Sequence, residues 1–169
     1  MSDSMPSAIQ SMLDEASEEV LATISNTKEA GRQPAGNHVA RLDCKAAKTF
    51  QYGIDGQRDK FPGIIFPWVI EETDNPSINT DNNPVVRDRV KVGPYKDKKG
   101  KLVLESIDLQ PYKSIYRQVV GEPAPEDAKE FISKFFEVCD GVRVNLAVQD
   151  DKKNAQYQRI YINGVVDND

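Results

Sequence analysis

The spacing of apolar residues divides the chain into a helical opening and a mostly extended remainder. Over residues 7–28, Ile9, Met12, Leu13, Ala16, Val20, Leu21 and Ile24 recur at intervals of three and four, with Pro6 at the entry and Gly31 then Pro34 beyond. This is the stripe of an amphipathic helix. From Ala35 the period becomes two. In residues 37–48, His38, Ala40, Leu42, Cys44 and Ala46 share one face and Arg41, Asp43 and Lys45 the other, which predicts a strand with one buried face. Residues 53–60 read as a polar turn. Residues 63–71 (GIIFPWVIE) are apolar on both faces, hence a central or covered strand in which Pro67 needs a bulge or an unpaired position. The polar run 71–84 (EETDNPSINTDNNP) predicts a long loop, mobile unless something is bound.

Alternation returns in residues 85–92, where Val86, Val90 and Val92 face one way and Arg87, Arg89 and Lys91 the other. Residues 101–109 read as the hairpin partner of that strand across the turn 93–100. Residues 111–120 (PYKSIYRQVV) fit a short helix or irregular structure. Residues 126–139 predict a helix, with Ala128, Phe131, Ile132, Phe135 and Cys139 as its stripe, Pro125 at its entry and Gly141 as its stop. Two strands close the chain, the first with Val142, Val144, Leu146 and Val148 inward, the second with Ile160 and Ile162 inward and Tyr157, Arg159 and Tyr161 outward. Strands, then a helix, then two more strands is the order of a mainly β, five-stranded Greek-key barrel of the oligonucleotide-binding type, its helix inserted before the fourth strand. The predicted organisation is an acidic amphipathic N-terminal helix, residues 1–33, added to a barrel domain, residues 34–169.

Composition narrows the chemistry. The 169 residues carry a net charge of -5 and 38% hydrophobic residues, enough for one modest core. The longest apolar-rich run, residues 61–70, is broken by Pro62, Gly63 and Pro67 and falls short of the ~20 residues that span a bilayer. The N-terminus lacks the basic and apolar regions of a secretory signal, and Cys44 and Cys139 are too few for a disulfide framework, so a cytoplasmic location is expected. With His38 as the single histidine and no paired-cysteine motif, no ordinary zinc set can form; no metal, cofactor or catalytic group is expected. A carboxylate magnesium site at Glu71, Glu72, Asp74 and Asp81 is the nearest enzymatic alternative, against the commoner use of such residues in solvation and turn capping. His38 and Cys44 lie ~20 Å apart along an extended strand, too far to act as base and nucleophile. The segment 93–101 (GPYKDKKGK) has six residues between its glycines, and Leu102 where a phosphate loop needs Ser or Thr, so it reads as a turn.

Charge is unevenly spread. Residues 1–30 hold six acids against Lys28, whereas residues 86–101 hold seven bases against Asp88 and Asp97. A protein that coats single strands needs cations along the phosphates and flat side chains under the bases. Both kinds occur on outward faces: Arg87, Arg89 and Lys91 on one strand, Tyr95, Lys98 and Lys101 on the adjacent turn, Tyr157, Arg159 and Tyr161 on the last strand, and Lys45 and Lys60 nearby. Phe50, Tyr52, Arg58 and Phe61 cluster with Lys60 around the first turn. Taken singly, lysine-rich turns are usually just solvated, and Trp68 reads as core.

Four segments, AGNHVARLDCKAAKTF, GPYKDKKGK, FFEVCDG and VRVNLAVQDDKKNAQYQRIYING, resemble the layout of single-stranded-DNA-binding-like proteins of tailed bacteriophages, over roughly residues 34–164. The resemblance implies an oligonucleotide-binding barrel that coats replication or recombination intermediates without enzymatic activity. This chain departs in its short acidic end, residues 165–169, where such proteins often carry a long acidic tail; the acidic helix sits at the N-terminus instead. That helix is the expected site of self-association or partner docking. The rival expectation is a scaffold module whose basic face meets an acidic protein.

Overall fold

The computed structural model describes residues 5–10, 32–53, 60–92, 95–96, 102–103, 107–153 and 157–166. The chain is mainly β. Six strands form one antiparallel sheet: β1 (Gly36–Leu42), β2 (Lys48–Gly53), β3 (Lys60–Thr73), β4 (Val85–Lys91), β7 (Arg143–Asp150) and β8 (Gln158–Val165). Two short strands, β5 (Tyr95–Lys96) and β6 (Leu102–Val103), pair with each other, and two helices, α1 (Gln110–Val120) and α2 (Ala128–Val138), lie between β6 and β7.

The long strand β3 organises the sheet. One of its edges takes β4, against residues 63–69; the other takes β2 against residues 60–65 and β1 against residues 68–73. β1 then pairs with β7, and β7 with β8. Being central explains why β3 is apolar on both faces, with residues 63–70 all buried. The expected continuous strand over 37–48 is instead broken by a 3-10 turn, Cys44–Ala46, which leaves Ala46 exposed. Pro67 accounts for the break. Its carbonyl accepts from the Asp43 N–H at 3.1 Å, so its nitrogen points at the same edge, and the partner strand is absent where the N–H is missing.

Two further expectations are corrected. The strand runs on to Thr73, and residues 74–84 are organised by side-chain caps: Asp74 accepts from the Asn37 N–H and side-chain amide, Asn75 from the Ser77 N–H, and Asn79 from the Asp81 N–H. Among the described residues of 101–109 none pairs with β4, whose ladder is with β3; β6 pairs with β5, residues 107–109 form a 3-10 turn, and residues 101 and 104–106 lie outside the described residues. The ambiguous segment 111–120 is helical, with Pro111 in the first turn and Gly121 ending it at φ +84°.

The core lies between the inner face of the sheet and the two helices. Ile64, Phe66, Trp68 and Ile70 point inward from β3, and meet Tyr112, Ile115 and Tyr116 of α1 and Phe131, Ile132, Phe135 and Phe136 of α2. Phe66 stacks on Tyr112 with ring centroids 4.3 Å apart and meets Phe135 edge-on at 5.7 Å. At the N-terminus, residues 7–10 are helical and Ile9 is fully buried in this same core, so the first apolar position of the opening stripe packs on the domain itself. The stripe from Met12 to Ile24 lies outside the described residues.

The sheet is open, with β4 and β8 at its edges and no ladder between them among the described residues. Gln33 nevertheless connects them. Its main-chain N–H and C=O bind the Gln158 side-chain amide at 2.7 and 3.0 Å, while its own side-chain oxygen accepts from the Arg87 N–H at 2.9 Å. Extra residues in β3 (Glu71) and β8 (Asn163) form bulges where the ladders slip register.

Candidate nucleic-acid interface

Valine at every second or fourth position turns β4 so that its cations face out. Val86 and Val90 are buried and Arg87, Arg89 and Lys91 exposed. Facing pairs in an antiparallel ladder share a side of the sheet, which places Pro67, Ile65 and Gly63 of β3 beside Arg87, Arg89 and Lys91. On the far side of β3, Phe50 of β2 is opposite Gly63 and Tyr52 opposite Phe61. One outer face therefore carries cations at one margin and aromatic rings at the other.

Gly63 lets the two margins meet. Strands two apart are separated by ~10 Å, and a side chain between them would fill the gap. A Cβ at Gly63 would lie 2.4 Å from two carbons of the Phe50 ring, so only glycine allows that ring to lie down across β3. Arg89 then reaches over it, its Cζ 5.4 Å from the Phe50 centroid, and Lys91 Nζ sits 5.4 Å from the centroid of Tyr52. Phe50, Tyr52 and Ile65, with Phe61 packed against them, form a small apolar cluster separate from the main core.

The middle of the outer face is different. Arg143 binds Glu71 at 2.7 Å and Glu72 at 3.4 Å, and Arg41 binds Glu71 at 3.5 Å. These cations are already matched by carboxylates. Tyr157, just before β8, and Tyr161 on it are 60% and 43% exposed, and Arg159 between them binds Asp151 at 3.1 Å. Lys45 is exposed on the 3-10 turn and Lys60 exposed at the start of β3. Tyr95 lies in β5, while Lys98 and Lys101 fall outside the described residues. Arg87, Arg89 and Lys91 on β4 thus form one group and Tyr157, Arg159 and Tyr161 at β8 another, linked through Gln33, while Lys45, Lys60 and Tyr95 lie on other elements.

Other reactive groups are tied into structure. His38 is buried, its Nε2 donating to the Pro34 carbonyl at 3.0 Å and its Nδ1 bonded to the Thr73 hydroxyl at 2.8 Å. Burial pushes both thiols up, Cys139 to about 12 and Cys44 further, with Asp140 adding to the effect at Cys44. Neither is a nucleophile in that state. A shallow cavity of about 300 Å³ lies over β1, β3 and β7, lined by residues that include Asn37, Glu72, Asp74 and Asn145. Among the described residues no three His, Cys, Asp or Glu side chains gather to hold a metal ion, and no helix is long and apolar enough to cross a membrane.

Asp88 was passed over in reading the sequence, although its parity with Val86 and Val90 places it inward. Tyr112 donates to its carboxylate at 2.6 Å and Trp68 Nε1 donates in turn to the Tyr112 oxygen at 3.2 Å. Burial raises the Asp88 pKa to about 6 from an ordinary 3.8, against the pull of the Tyr112 hydrogen bond and with some help from nearby Asp108. An acid with a raised folded pKa favours the fold below pH ~4 and loses that contribution as pH climbs to 6. Asp88→Asn keeps an acceptor for Tyr112 and removes the charge. It is expected to be more stable than the parent at pH 7.5, by up to about 2–3 kcal/mol, and to show no advantage at pH 4. Urea unfolding at the two pH values checks this; equal destabilisation at both would show that the acceptor geometry, not the charge, matters.

Comparison with protein-family models, curated proteins and solved structures finds no match to this chain.

Proposed function

We propose that the chain binds single-stranded nucleic acid, DNA foremost, without catalysis and without reading sequence. The observation that carries this is the outer face on which Arg89 and Lys91 stand over Phe50 and Tyr52, beside exposed Arg87. Phosphates are held by Arg87, Arg89 and Lys91, joined by Lys60 and Lys45, and the exposed rings of Tyr157 and Tyr161 offer stacking surfaces at the start of β8 and along it.

The sheet order supports an oligonucleotide-binding barrel. β1 and β2 run end to end along one edge of β3 and act as one bent first strand; β3 and β4 follow, the helices intervene, and β7 returns to pair with β1. The Gln33 bridge between β4 and β8 stands where barrel closure is needed. Work in phage replication or recombination, in the host cytoplasm, rests on the resemblance of the four segments noted above, and partner docking by the acidic helix on its apolar stripe.

A labelled dT oligonucleotide titrated by fluorescence polarisation at two salt concentrations tests the reading. Each neutralised phosphate contributes about -0.7 to the slope of log K against log salt, so four or five contacts give a slope near -3. Absence of binding at low salt, or binding indifferent to salt, overturns it. Salt-dependent binding of an acidic polypeptide in place of the oligonucleotide would hand the face to a protein partner.

A further inference from the structure

Phe50 and Tyr52 lie on the outer face and yet are only 6% and 9% exposed. One side of the Phe50 ring rests on the backbone at Gly63, and the other lies under the Arg89 guanidinium; Tyr52 packs against Phe61, centroids 5.9 Å apart, and lies under Lys91. The lids are the same two cations that the reading above assigns to phosphates, and this inference rests on that reading.

We propose that Phe50 and Tyr52 are base-stacking platforms uncovered by the ligand: phosphates draw Arg89 and Lys91 off the rings, and unpaired bases take the vacated faces. The exchange sets a stacked base on each ring in place of the cation and gives the cation a charge-assisted bond to phosphate. Until a strand arrives, the cations shield two large apolar surfaces from water. The ligand class is an unpaired base of any identity, because every base offers a flat face and no base-edge donor or acceptor is required.

The test compares labelled dT12 with a matched oligomer of twelve abasic phosphodiester units, which carries the phosphates and lacks the bases, on the full-length protein at low salt. Wild type is expected to prefer dT12 by about tenfold or more, within the ~5- to 150-fold that one stacked base contributes. The double variant Phe50→Leu, Tyr52→Leu keeps apolar packing but no flat face; it should lose most of that preference while holding the abasic oligomer within twofold of wild type. Equal binding of both oligomers by wild type, or an undiminished preference in the variant, overturns the platforms and leaves the electrostatic reading standing. Failure to bind either oligomer overturns both. Should the double variant not fold, photocrosslinking of wild type to an oligonucleotide carrying 5-iodouracil decides: adducts at Phe50 or Tyr52 support the proposal, and adducts confined to Tyr157 and Tyr161 refute it.

Discussion

Replacing Arg87, Arg89 and Lys91 together by Glu is expected to weaken dT binding several hundredfold at 50 mM salt, with the unfolding midpoint in urea little changed. The size follows from counterion release. At ~0.7 log units per decade of salt below 1 M, one phosphate contact is worth about eightfold at 50 mM, and three together about 500-fold before the added repulsion of three carboxylates. The fold should tolerate the change because all three side chains point to solvent while Val86 and Val90 hold the strand to the core. Gln33 grips the main chain of Arg87, and that bond survives any side chain at the position. Losing the two cation-ring contacts costs up to about 1 kcal/mol each. Polarisation titrations beside urea unfolding measure both effects. A folded variant that binds like wild type would move the ligand off β4; an unfolded one would refute the face assignment.

Phe66→Ala should be the most damaging single truncation, removing ~3–5 kcal/mol of stability. Phe66 is fully buried on the inner face of β3, stacked on Tyr112 of α1 and touching Phe135 and Phe136 of α2 with centroids 5.7 and 5.6 Å away. No other ring joins the central strand to both helices through so many aromatic partners. Its loss opens a cavity beside the Tyr112 hydroxyl on which Asp88 and Trp68 depend. An ordinary domain has only ~5–15 kcal/mol in hand, so the variant should unfold at much lower urea concentration than the parent. A loss of ~1 kcal/mol or less would mean that the helices are held to the sheet by other contacts.

What the sequence made legible follows from which forces are local. The outward cations of β4 were readable because Val86 and Val90 mark its buried side, and the α2 stripe because Phe131, Ile132 and Phe135 repeat at helical spacing. Pro67 announced a defect in pairing, though not that the neighbouring strand would break to supply it. Helix α1 was ambiguous: Tyr112, Ile115 and Tyr116 are spaced for a helix, but Val119 and Val120 favour strands and Pro111 suits either a turn or a helix start. The hairpin assigned to residues 101–109 is not formed among their described residues: adjacency in sequence competes with pairing across the central strand, and β3 offers β4 a longer apolar partner. In the site, the exposed Tyr157 and Tyr161 were visible as singles, whereas the cover of Phe50 by Arg89 was not. That contact joins strands two apart across a glycine, and it exists only once both registers on β3 are known.

The side chains that bind the outer edge of β4 have a consequence for how molecules behave in a crowd. A strand at the margin of a sheet offers its backbone to any other strand, and proteins packed shoulder to shoulder on one polymer meet such margins at high local concentration. Here the Arg87 N–H is taken by the Gln33 side chain and the Lys91 N–H by the Asp108 carboxylate at 3.0 Å. Both are stoppers that satisfy the donors without adding another strand. A margin whose donors are occupied in this way is a poor template for another strand along β4.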